Sequence, residues 1–419
     1  MNLQIFKRQS QTFKNLAFVL SGSFGAQIIS FLFYPLLVRI FTPEDFGNFG
    51  TYSSLIVVSA IFASGLLHFA FIKTRDDFSE LNWLFRRYAL LGTFIISLII
   101  AVSNFYFNFI PSYFLYFFPI GLLSYIYFES QKMYSVKIES FKVLSHAVNG
   151  NRLSSNILKV LFGKFFSHPL ALIFSEIIGN FLSSIYFKKY ISMPSSKPVK
   201  VRDIISRYRQ FPLFTTFSTF FTLGLTELPV IVLATYYPKN EIGVYVLAVR
   251  LILQPLNIIG NSIGSVVSKR IINNHYGQTS SRRILTKIYG LYIAIGILSF
   301  ATTYIVPKEW FLFLLGKNWE NFKEVLLPIT LLITAKMSSG LHIYFYVANE
   351  EMKIKSIFKG AQLAITFIII TTFSNLPLTE LLWLMCSIEA ALDLIFTIYT
   401  VFSSDKFSMT PKNSQVGKK

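Results

Sequence analysis

Runs of about twenty apolar residues recur about twelve times along this chain. A backbone that crosses lipid must satisfy its own N–H and C=O groups, so the spanning segments of such a sequence are helices. The runs lie near 15–38, 47–71, 88–109, 112–128, 141–163, 168–187, 209–235, 243–268, 286–306, 322–347, 356–374 and 378–401, and charge interrupts the fifth and tenth. Composition agrees. With 53% hydrophobic and 14% charged residues over 419 positions, and a mean hydropathy of +0.53, the chain has too little polar surface to cover a soluble protein. An all-α polytopic membrane protein is expected.

Charge supplies the orientation. Short cation-rich loops stay cytoplasmic, and on this segmentation about 29 of the 39 Lys and Arg fall on the side of the N-terminus, about 6 on the other and about 4 within the membrane. Both termini are therefore expected in the cytoplasm. The same partition accounts for the net charge of +19 without nucleic acid: Lys188, Lys189, Lys197, Lys200, Arg202, Arg207 and Arg209 form one linker suited to anionic headgroups, and the cations are spread over short loops rather than gathered on one domain. Lys7, Arg8 and Lys14 precede a first run that is too long for a signal peptide and has no small-residue cleavage site, so it reads as a retained span. The single cysteine, Cys386, lies in an apolar run and reads as core. The outer loops are short, and the polar, basic stretch 403–419 is expected to be a disordered tail.

An internal repeat is visible. Phe41-Thr42-Pro43-Glu44-Asp45-Phe46-Gly47-Asn48-Phe49 opens the second span and Tyr237-Pro238-Lys239-Asn240-Glu241-Ile242-Gly243-Val244-Tyr245 opens the eighth. Aligned on Gly47 and Gly243, both read acidic, apolar, Gly, any residue, aromatic. Thr42 suits an N-cap, Pro43 the first helical position, and two acids the first turn. Ordinary capping explains either copy alone; two copies half a chain apart suggest duplicated six-span blocks, which would be parallel repeats. The expected lobes are 1–195 and 196–402.

The run Tyr34-Pro35-Leu36-Leu37-Val38-Arg39-Ile40-Phe41-Thr42-Pro43-Glu44-Asp45-Phe46-Gly47 closely resembles the end of the first span in polysaccharide biosynthesis flippases of the O-antigen (Wzx) type, within the multidrug/oligosaccharidyl-lipid/polysaccharide exporter superfamily. Gly243-Val244-Tyr245 with Ala248 and Arg250 resembles the start of their eighth span, and Leu315-Gly316-Lys317-Asn318-Trp319 their outer loop before the tenth. The resemblance implies two six-helix lobes around a central cavity with alternating access. It also implies an oligosaccharide on undecaprenyl pyrophosphate as cargo, carried to the periplasmic leaflet of a bacterial inner membrane by a monomer, with polymerase and glycosyltransferases as candidate partners. The fifth span is more cationic than the family pattern suggests.

A diphosphate-linked glycan needs cations for its charge and hydrogen-bonding groups for its sugars. Asn149, Arg152, Asn156 and Lys159 recur on one helical stripe of the fifth span, and charges at membrane depth face a bundle interior or a wet cavity. Arg152 and Arg250 are the first candidates, because a guanidinium grips phosphate with a bidentate fork. Lys159, Lys336 and Arg39 follow; Arg39 and Lys159 also suit snorkelling to headgroups, and Lys336 an ion pair with Glu389 or Asp393. Glu176 is the clear interior acid of the N-terminal half and a partner for Arg152 or Lys159. Glu389 and Asp393, four apart on the last span, are with Glu227 candidates for proton or Na⁺ coupling; neutralisation of Lys336 and Arg250 is the plainer alternative. His68 and His342 read as residues near inner span ends. Gly260 and Gly264 suit close helix packing.

The chain has no G-x-x-x-x-G-K-[ST] motif, no zinc spacing and no acyl-transfer triad, so no cofactor or metal is expected. Two rivals to the flippase remain: a cation-coupled multidrug exporter of the same superfamily, and a membrane polymerase or ligase of lipid-linked sugars, which the short outer loops disfavour.

Overall fold

The computed structural model describes residues 22, 24–74, 76–108, 110–198, 200–209, 215–253, 255–256, 259–260, 263–264, 281–348 and 352–409. The opening of the first expected span with Lys7, Arg8 and Lys14, much of the eighth beyond residue 253, and the tail from 410 lie outside the described residues. Regular structure among the described residues is helical. The helices are α1 (Phe24–Ile40), α2 (Pro43–Ser64), α3 (Phe78–Phe107), α4 (Phe118–Lys137), α5 (Phe141–Phe165), α6 (Pro169–Tyr190), α7 (Val201–Tyr208), α8 (Thr216–Tyr236) and α9 (Lys239–Ala248). They continue with α10 (Ser281–Ile305), α11 (Lys308–Leu315), α12 (Phe322–Thr330), α13 (Leu332–Ala348), α14 (Met352–Thr372) and α15 (Leu378–Met409).

Seven of the described helices are long and apolar enough to span a bilayer, or eight if α12 and the first part of α13, bent by 43°, make one interrupted span. Pro328, near the end of α12, accounts for the break at that point. The remaining expected spans correspond to α1, whose start is not described, to the polar α4 and α5, and to α9 with the π-helical turn Val249–Leu253 that follows it. The count is compatible with twelve. The last helix runs to Met409 and so takes in residues 403–409, expected from sequence to belong to the tail.

The chain divides into two compact units, residues 1–247 with 311–320, and 248–310 with 321–419. The first unit thus extends past the basic linker into the start of the second repeat.

Local chemistry in the first unit follows the sequence closely. Thr42 caps α2: its hydroxyl accepts from the Asp45 amide at 3.2 Å while Asp45 returns a bond from the Thr42 N–H at 2.9 Å, and Pro43 opens the helix. The two repeat glycines then meet. A methyl on Gly47 would run into the Lys239 carbonyl, and one on Gly243 into the Pro43 carbonyl, four residues earlier on the opposite helix in each case. The contact is reciprocal, backbone on backbone, and only glycine permits it. Trp319 joins the same corner. Its indole N–H donates to the Val38 carbonyl at 3.0 Å and its ring meets Phe46 edge-on at 5.3 Å, so the outer-loop motif seals the end of the first-span motif.

In the second unit Gly260 and Gly264 lie against the backbones of Met337 and Gly340, as the G-x-x-x-G spacing predicts. Lys323 closes the end of α10 by donating to the Tyr304 and Val306 carbonyls at 3.0 and 2.7 Å.

Candidate functional site

The polar stripe of α5 packs against α6, and its two cations converge on one acid. Glu176 accepts from Arg152 at 3.0 Å, from the Ser155 hydroxyl at 3.0 Å and from Lys159 at 2.7 Å. Lys159 is enclosed, its side chain 9% exposed, and its ammonium lies 5.0 Å over the Phe49 ring. Arg152 is different: one nitrogen is bonded to Glu176, yet the side chain is 45% exposed. One carboxylate between two cations leaves a positive balance, and the exposed guanidinium is where that balance is accessible.

The stripe's amides supply the second feature. Among the described residues, the Nδ2 of Asn156 and the Oδ1 of Asn149 are buried without a hydrogen-bond partner. Each such group costs free energy, about 1–3 kcal/mol, until something bonds it. Behind them Asn151 donates to Asn180 at 2.9 Å, and Asn180 donates to the Ser124 hydroxyl at 3.4 Å, which ties α5, α6 and α4 together. Gly179 permits the approach, since a methyl there would touch Ser155.

Other acids lie in the same unit. Glu129 binds Lys132 at 2.7 Å, and Glu227 accepts from the Ser54 hydroxyl at 2.7 Å. Both are within electrostatic reach of Tyr125, as are Arg152 and Glu176. Glu129 and Lys132 lie on α4, which runs to Lys137.

Arg39 stands apart from this group, its guanidinium 3.4 Å from the Phe313 carbonyl at the outer corner. Arg250 lies in the π-helical turn of the second unit, partly exposed. In that unit Lys336 pairs with Glu389 at 3.2 Å, the first of the two partners expected for it. Asp393 has a partner that spacing did not suggest: Lys359, at 2.6 Å, with Gln362 bonding both at 3.0 and 2.8 Å. Lys355 and Lys359 are both buried near the start of α14, where a lysine in sequence reads as snorkelling. His342 is buried, packed between Tyr289 and Phe396 at 5.6 and 4.8 Å.

These features define a class: a multi-pass helical membrane protein whose first unit carries an interior cation pair. Its fold is similar over nearly the whole chain to that of a eukaryotic MATE transporter, AtDTX14, with 12% identity, a TM-score of 0.51, and 97% of this chain and 99% of that one covered. A second structure, an inward-facing multidrug resistance MATE family transporter of the MOP superfamily, aligns at 11% identity and a TM-score of 0.49, with 96% of each chain covered. No curated protein matches. The chain belongs to the polysaccharide biosynthesis protein family, whose model matches residues 36–324.

Proposed function

We propose that this protein is a flippase for an undecaprenyl-pyrophosphate-linked oligosaccharide, such as an O-antigen or other surface-polysaccharide unit. It would move its cargo from the cytoplasmic to the periplasmic leaflet of a bacterial inner membrane, with both termini in the cytoplasm. The observation that carries this reading is Arg152: a guanidinium on the polar stripe of α5, almost half exposed, held in place by a carboxylate that Lys159 already neutralises. A diphosphate would bond the free side of Arg152, and sugar hydroxyls would bond the orphaned amides of Asn149 and Asn156. Membership of a polysaccharide biosynthesis family supports the cargo class. Arg250 offers the same chemistry in the second unit. Lys336 is engaged with Glu389 and serves structure first.

Complementation of a strain lacking its own flippase tests this. Arg152→Ala should abolish surface polysaccharide at unchanged protein level, Arg152→Lys should retain part of it, and Arg250→Ala should impair it. Full activity of Arg152→Ala would overturn the cargo site. Coupling to a proton or sodium gradient through Glu389, Asp393 and Glu227 belongs to the same proposal; gradient-driven transport that persists in Glu389→Gln with Asp393→Asn rejects the role of those two.

The acid Glu227, which accepts from the Ser54 hydroxyl, favours one rival, a cation-coupled drug exporter. Efflux of cationic dyes that is lost on Glu227→Gln, with surface polysaccharide unaffected, would select it.

A further inference from the structure

A cleft of about 370 Å³ opens on the flank of the first unit among α3, α4 and α6, away from the α5 stripe. That is within the range of roughly 300–1,000 Å³ seen for ligand sites. Its wall is mostly apolar, with three hydroxyl-bearing residues: Ala89 and Leu90 come from α3, Ser124 and Tyr127 from α4, Phe181 and Ser184 from α6, and Arg86 of α3 lines it too. Leu90 and Phe181 at the rim are 57% and 50% exposed, and Leu91, Phe94 and Leu98 continue the bare apolar surface of α3. A surface of that kind faces acyl chains, so what enters the cleft comes from the bilayer.

The polar end can be placed. The start of α3 holds the interlobe linker, with the Asn82 side chain donating to the Pro194 carbonyl at 2.8 Å and Ser196 to Ser79 at 2.8 Å, so Arg86 and the end of α6 lie toward the same face. Arg87 stacks on Trp83 at 4.2 Å, an aromatic and cation pair of the kind that marks a membrane interface. On α6 the residues Phe181, Ser184 and Lys188 recur at helical spacing, which sets exposed Lys188 about 6 Å beyond Ser184 at that same end. An apolar slot thus runs into two cations at headgroup level.

We propose that this cleft is a binding site for an anionic glycerophospholipid of the leaflet on the linker side, one acyl chain in the slot and the phosphate between Arg86 and Lys188. Anionic phospholipid is the abundant amphiphile whose charge complements those cations at that depth. Ser124, on the cleft wall, accepts from Asn180, which accepts from Asn151 on the helix that carries Arg152, so an occupied slot braces the wall behind that stripe. The proposal does not depend on the cargo of the interior site.

Native mass spectrometry of the purified full chain, titrated with phosphatidylglycerol or phosphatidylcholine of matched chains, or with undecaprenyl phosphate, tests it. The wild type should retain phosphatidylglycerol preferentially. Arg86→Gln with Lys188→Gln should weaken that lipid roughly thirtyfold and leave phosphatidylcholine unchanged, since each surface cation contributes about a factor of five. Ala89→Phe should fill the slot and displace both lipids; Leu90→Trp, at the exposed rim, gives the same test without burdening the core. Melting temperatures in detergent verify that each variant folds. Equal binding of the two lipids by wild type, unchanged phosphatidylglycerol affinity in the double variant, or a preference for undecaprenyl phosphate that Leu90→Trp abolishes would each overturn the proposal.

Discussion

Replacing Glu176 by Gln isolates what one carboxylate does for two cations. Lys159 is almost enclosed, and removing its partner leaves a buried ammonium, a change that costs about 3–5 kcal/mol in comparable settings. Arg152 is 45% exposed, so its share is that of a screened pair, no more than about 1 kcal/mol. The amide of Gln still accepts from Ser155 and Lys159, which places the expected loss near the lower bound, about 3 kcal/mol. For a unit of this size that corresponds to a fall in melting temperature of roughly 6–12 °C. Arg152→Ala should cost only about 1 kcal/mol or less. The decisive comparison is Glu176→Gln combined with Lys159→Met: with the buried charge gone, the double variant should melt above Glu176→Gln alone. Thermal unfolding of detergent-purified variants reads all of these. A Glu176→Gln protein that melts with the wild type, or a double variant worse than the sum of its parts, would refute the shared-carboxylate account.

Three further outcomes are expected. Gly47→Ala and Gly243→Ala should each destabilise the protein, because an overpacking cost of about 1–3 kcal/mol exceeds the helix propensity gained, about 1 kcal/mol; both methyls separate the same two helices, so in thermal melts the pair should cost less than the sum. The linker clasp, in which Arg207 and Tyr208 donate to Asp77 at 2.6 and 2.8 Å, should weaken in acid. Partial burial raises the Asp77 carboxyl, but the bonds from Tyr208 and Arg207 outweigh it and hold it below its ordinary value, so the clasp is complete above about pH 4 and is lost as pH falls through the depressed pKa. Burial and Asp77 push Tyr208 up to about 12, so the alkaline limit lies there; proteolysis at residues 191–198 across pH, faster at neutral pH in Asp77→Asn, measures the clasp. Lys359→Met should destabilise by about 3–5 kcal/mol by stranding Asp393, and Asp393→Asn should restore much of it, again by melting temperature.

Much of this was legible in the residues because the physics was local. Thr42, Pro43 and Asp45 announce their helix start, and the spacing of Arg152, Lys159 and Glu176 is enough to bring them together once α5 and α6 are neighbours. The repeat could be aligned on Gly47 and Gly243, but not that the two glycines touch, since sequence gives no crossing angle. The pairing of Lys359 with Asp393 and the burial of Lys355 were not legible, because they depend on which helices pack together, and spacing along one helix does not give that.

The facing glycines of α2 and α9 have a mechanical consequence. Where side chains interdigitate, sliding one helix past another requires rotamers to be reset turn by turn; here bare peptide rests on bare peptide. At that crossing the spacing of the two helices is set by backbone alone, so a single methyl must push them apart.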